Sequence, residues 1–166
     1  MQGIPEQIKL FNFAKRELSF TQTYQLGEFP RLANVLSNQS DKVAVKLSFY
    51  LEEGKIPCVS GSIELQAELI CQRCLEGFKL ELRPEFKLAF VTNEQQGQEL
   101  EADYEISLLE EDELSTIELI TDEILLSIPM IPMHEHACLE YQDDEELDIE
   151  KPENPFAVLK TLKTKH

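Results

Sequence analysis

Two cysteines three positions apart, Cys71 and Cys74, open the chemistry available to this chain. A Cys-x-x-Cys pair offers either two soft ligands with the bite of a tetrahedral metal site or a dithiol that cycles with a disulfide. A zinc site needs two further ligands, and His134, His136 and Cys138 cluster in the second half of the chain. The expected set is Cys71, Cys74, His134 and Cys138 around Zn2+, with His136 left open as a competitor because no second Cys-x-x-Cys is present. The plainer alternative treats Cys71 and Cys74 as small, half-buried apolar residues. A thioredoxin-like redox pair fits less well, since that motif starts a helix at the thiols and a strand pattern follows here. Cys58 stands outside any ligand spacing and reads as a packed residue.

Carboxylates give a second, weaker constellation. Glu118, Asp122 and Glu123 fall within about one turn of a helical pattern and invite comparison with a Mg2+-dependent ribonuclease. On an amphipathic helix such groups ordinarily form the solvated face, opposite the core. The chain has no nucleophile elbow, phosphate loop, HExxH or dinucleotide fingerprint, so binding is favoured over catalysis.

Strands must position the thiols. Ile63, Leu65, Ala67, Leu69 and Cys71 alternate before the pair, and Phe78, Leu80 and Leu82 alternate after it, the period of half-buried strands. The thiols therefore sit at the tip of a hairpin, with Gly77 supplying a residue tolerant of positive φ. Upstream, Val43 to Leu51 alternate without a break, and Glu52-Glu53-Gly54-Lys55 turn that strand into the next. Gly61 marks an irregularity and Pro84 a bulge or an edge, after which Phe86, Leu88 and Phe90 resume the alternation. Residues 17–26 read as an edge strand, and residues 27–36 as a helix with Pro30 near its start. Ser115 and Glu118 form a capping-box pattern ahead of a helix that buries Ile117, Ile120, Ile124, Leu125 and Ile128 and stops at Pro129. The fold class is α+β, a single domain that is mainly an antiparallel β meander able to curl toward a barrel, with a few helices.

Composition bounds the class. At 166 residues and 42% hydrophobic, the chain is long enough for one real core. The net charge of -17 is concentrated: residues 1–92 balance 11 acids with 11 bases, whereas residues 93–153 hold 21 acids and one base, Lys151. The acidic half repels phosphate backbones, so a basic protein is the easier partner on charge. Without a signal peptide pattern or an apolar run of membrane-spanning length, the expected location is cytoplasmic, which keeps thiols reduced. The organisation expected is a domain over 1–139 with an acidic loop at 93–104, an acidic flexible linker over 140–153, and a short amphipathic tail over 154–166. In the tail Asn154 caps, Pro155 takes the first helical position, and Phe156, Leu159 and Leu162 line one side.

Three blocks taken together resemble the YceD family, the large ribosomal RNA subunit accumulation proteins. They are Cys71-Gln72-Arg73-Cys74 on its hairpin, Asp122 through His134 with Cys138, and Asn154-Pro155-Phe156-Ala157-Val158-Leu159. The resemblance spans roughly residues 60–163. It implies a small, cytoplasmic, non-enzymatic factor needed for normal accumulation of 23S ribosomal RNA, with no membrane or small-molecule substrate. Precursor RNA or a basic large-subunit ribosomal protein would be the direct partner. Candidate contact residues are Arg73, with Lys79, Arg83 and Lys87 near it, and the tail residues Asn154, Pro155, Phe156, Leu159 and Leu162. The alternatives are a metal-dependent ribonuclease using Glu118 or Asp122, and a structural zinc protein with an unrelated partner.

Overall fold

The computed structural model describes residues 3–139 apart from 39–40, 54, 98–99, 101–102 and 110–111. The elements in chain order are β1 (Gln7–Lys9), α1 (Leu10–Lys15), β2 (Ser19–Gln25), β3 (Lys42–Glu52), β4 (Ile56–Ile70), β5 (Gly77–Leu82), β6 (Glu85–Val91), α2 (Glu94–Gly97), β7 (Glu105–Leu108), β8 (Glu113–Ser115) and α3 (Thr116–Ser127). The proposed linker, 140–153, and tail, 154–166, lie outside the described residues.

The sheet is built around β4. Its order is β2-β3-β4-β6-β7, with β5 also on β4, and it is open: β2 lies at one edge and β7 at the other, so the meander does not close into a barrel. β4 carries β3 along one side. On the other side its two halves take different partners, β5 over Leu65–Ile70 and β6 over Cys58–Ser62. Pro84 explains the division. It breaks the return strand, yet its carbonyl accepts the Ile63 N–H at 3.0 Å, so the backbone pairing of β4 continues across the gap.

Period-2 patterning places the core on one face: Val43, Val45, Leu47 and Phe49 from β3, and Val59, Ile63, Leu65, Ala67 and Leu69 from β4, all buried. α1 covers this face with Leu10 and Ala14, and the Phe13 ring meets Phe49 edge-on at 5.5 Å. Gly61 has a steric reason. It sits opposite Phe86, whose ring lies over the glycine where a Cβ would be.

Four expectations are corrected. Residues 27–36 are not one helix: two 3-10 turns, Leu26–Glu28 and Pro30–Asn34, bury Leu26 and Leu32 and leave Ala33 exposed, and Leu36 beyond them is buried too. The residue with left-handed backbone at the hairpin tip is Leu75, φ 64°, and not Gly77, which opens β5 opposite Ile70. The acidic loop at 93–104 contains α2 and leads to β7, which lies parallel to β6. A parallel pair requires a crossover of about this length. Glu123, assigned to the solvated face of α3, is buried, 7% exposed.

Candidate metal centre

The thiol loop is shaped by its own backbone. Between Ile70 and Gly77 the Cys71 N–H donates to the Glu76 carbonyl and the Leu75 N–H to the Cys71 carbonyl, each at 2.9 Å. The left-handed turn at Leu75 closes this knuckle and lets the Arg73 N–H approach the Cys71 sulfur at 3.4 Å. Cys71 continues the inward-facing row of β4 and is fully buried, while Cys74 is half-buried.

The second half of the site comes from the segment after α3. Ser115 Oγ caps α3 by accepting the Glu118 N–H at 3.4 Å, and the helix ends just before Pro129. The chain then turns back against the hairpin: the Gln72 N–H donates to the Pro132 carbonyl at 2.8 Å, and the His134 ring packs on Phe78 with 4.8 Å between centroids. Cys74 Sγ thereby comes to 3.4 Å from His134 Nδ1, and Cys71 Sγ to 3.7 Å from Cys138 Sγ. The ligating atoms of all four residues lie within 4.8 Å of one another. A tetrahedral zinc with Zn–S near 2.3 Å and Zn–N near 2.0–2.1 Å has edges of about 3.8 Å between sulfurs and about 3.6 Å between sulfur and nitrogen. The Cys71–Cys138 and Cys74–His134 separations lie close to those edges, and Cys3His is a donor set that structural zinc takes.

Arg73 binds the two halves together. Its Nε donates to Cys138 Sγ at 3.1 Å and its terminal nitrogen to the His134 carbonyl at 3.2 Å, with a further bond to the His136 carbonyl. A planar guanidinium beside thiolates supplies a positive charge and several donors at once. Burial alone would push the Cys71 thiol up, but N–H donors of Cys74, His134 and Arg73 outweigh it and bring the thiol down to about 5. Burial likewise opposes ionisation of Cys138, and Arg73, Cys74 and His134 together hold its pKa below the ordinary value. At Cys74 a backbone bond from Glu76 favours the thiolate, yet burial and the Cys138 and Cys71 sulfurs push it up to about 11. Cys138, followed by Cys71, holds the His134 imidazole above its usual value. Negative charge is thus already favoured on two sulfurs, and two cations or potential cations face them.

The structure brings together the four residues expected as ligands. His136 stays outside the set, exposed, its ring 4.8 Å from that of His134. Cys58 is packed, as expected, and burial pushes its thiol up to about 11. Arg73 is exposed, but its fork is directed at the loop. Arg83 pairs with Glu81 at 2.6 Å, and Lys87 reaches Asp103 at 3.7 Å. Asn154, Pro155, Phe156, Leu159 and Leu162 lie outside the described residues. Asp122 pairs with Arg31 at 2.6 Å, and neither it nor Glu118 belongs to any cluster of three or more metal-ligating side chains among the described residues. The clamping role of Arg73 had one sequence signal: a cation placed between two cysteines faces whatever charge they carry. No described helix is long and apolar enough to cross a membrane.

Comparison with known proteins adds an independent line. The family model described as large ribosomal RNA subunit accumulation protein YceD matches residues 59–163, which include every residue of the metal-ligand cluster. A Haemophilus influenzae protein named large ribosomal RNA subunit accumulation protein YceD is 32% identical over 169 aligned residues, covering 98% of this chain and 97% of that protein. No solved structure matches the chain.

Proposed function

The chain belongs to the YceD family, and from that premise we propose that it promotes accumulation of large-subunit ribosomal RNA by binding, as a zinc-stapled α+β module in the cytoplasm. Cys71, Cys74, His134 and Cys138 would hold the Zn2+, which supplies a crosslink between the β4–β5 hairpin and the segment after α3 and no reaction step. Three thiols and one imidazole leave no protein-derived opening of the kind catalytic zinc sites keep for water. The Cys3His cluster is the observation that carries this architecture: long-range chain segments meet there through ligand-quality distances and an arginine clamp.

The favoured partner is a basic protein of the large-subunit precursor. Net charge of -17 repels RNA and attracts cations, and Arg73, Arg83 and Lys87 are each engaged within the protein. Lys79 stands opposite Glu68 in the β4–β5 register. Affinity recovery of the tagged protein from growing cells, with and without ribonuclease, tests this. A basic ribosomal protein retained after ribonuclease supports the reading. Large-subunit precursor RNA bound directly by the purified protein, with affinity that falls steeply with salt and with Arg73→Glu, would replace it with the RNA-directed one.

A further inference from the structure

Beside the metal cluster several large apolar side chains are exposed on the described surface. A groove of about 450 Å3 runs between the 3-10 turn ending at Asn34, the end of β4 and the segment after α3, lined by Val35, Ile70, Leu125, Ile128, Met130 and Pro132 among others. Its volume lies within the ~300–1,000 Å3 of ligand-sized pockets. Met130 is 98% exposed and Ile131 61%, and Leu126, Leu75 and Met133 add further exposed apolar surface on the same segments or the neighbouring hairpin. Isolated exposed apolar residues need no explanation, but a lined groove with such a rim marks a docking surface.

We infer that this groove is the docking site of the chain's own C-terminal segment, with Phe156 and Leu159 seated in it. Three observations converge. The described chain stops at Leu139, one residue beyond Cys138, whose sulfur is 3.7 Å from Cys71; Gln72 of the same knuckle lines the groove. The segment that follows thus starts beside its target. Seventeen residue steps separate Leu139 from Phe156, a reach of up to about 60 Å when fully extended. Return to a groove beside the exit point needs less than the extended span, and tethering at this length raises the local concentration to the ~mM range. Charge also matches. Residues 154–166 hold Lys160, Lys163 and Lys165 and no acid, so the segment is opposite in charge to residues 93–153, which supply the α3 side of the groove wall. Phe156, Leu159 and Leu162 recur at three-residue spacing, the pattern of a segment that seats one apolar side in a groove. The docking stands whether the protein's external partner is protein or RNA.

Methionine supplies the probe, because the chain has only Met1, Met130 and Met133. The zinc-loaded full chain, labelled with 13C on the methionine methyl groups, is compared with the Phe156→Ala, Leu159→Ala double variant. Docking places an aromatic ring near Met130, so the Met130 methyl signal shifts toward its free position in the variant while that of Met1 stays in place. A Met130 signal already at the free position in the unmodified chain, and unchanged by the substitutions, would overturn the inference. So would a Met130 shift that disappears on dilution, which would identify a second copy as the occupant.

Discussion

The Cys71 and Cys138 sulfurs stand 3.7 Å apart although 67 positions separate them in the chain. That approach joins the tip of the central hairpin to the segment after the last described helix. The first prediction is that the purified protein carries one zinc per chain and that Cys71→Ser or Cys138→Ser abolishes stoichiometric binding. Because the packed core cluster over β3, β4 and α1 contains neither cysteine, either variant still folds. Its Tm falls on the order of 10 °C, the scale on which loss of a tightly bound ligand acts in a domain of this size. Metal analysis and thermal unfolding with and without a chelator measure both effects.

Arg73 gives the second prediction. Its bonds to Cys138 and to the carbonyls of His134 and His136 orient half of the ligand set. Arg73→Lys keeps the charge and loses the fork, so zinc affinity should fall about 10–100-fold, the usual effect of losing an outer-shell partner. Competition with a chromogenic chelator reads this directly. Unchanged affinity would make the clamp incidental.

Gly61 and Phe86 provide the third. A Cβ at Gly61 would overlap the Phe86 ring, so Gly61→Ala should destabilise by about 1–3 kcal/mol, and adding Phe86→Ala should recover part of that loss. Gly77→Ala is the control. There the nearest atom is the Glu68 carboxylate at 3.7 Å, ordinary contact distance, and denaturant unfolding should show little loss.

Glu123 gives the fourth, a pH dependence. Burial, then the charges of Glu105 and Asp122, push its carboxyl up to about 7 from an ordinary 4.5. Between those values the native state holds a proton the unfolded chain has released, so stability falls as pH rises through this window. The loss is bounded by about 3 kcal/mol at pH 8. Glu123→Gln should therefore raise stability at pH 8 and lose that advantage near pH 4.5. An advantage independent of pH would point to packing instead.

The parts legible in the sequence are those whose pattern is long or whose residue types are rare. Residues 42–49 of β3 alternate strictly, Ser115 caps α3, and Cys71, Cys74, His134 and Cys138 are scarce residues that fall in two short groups in the sequence. β1, β7 and β8 have three or four residues each, too few for periodicity, and owe their pairing to tertiary contact. Glu123 was misplaced because helical spacing put it beside Asp122, while β7, invisible in the sequence, lies close enough for Glu105 to act on it. Leu75 took the left-handed position because knuckle closure fixes where the turn falls, while the nearby Gly77 opens β5 in register with Ile70.

X-ray absorption at the zinc edge of the purified full-length protein tests the central claim most directly. One zinc with three sulfur neighbours near 2.3 Å and one nitrogen near 2.0–2.1 Å is expected, and Cys138→Ser, which no longer holds a full equivalent of zinc, should not show that shell. A protein that takes up no zinc, or a shell of oxygen and nitrogen neighbours unaffected by that substitution, would contradict it.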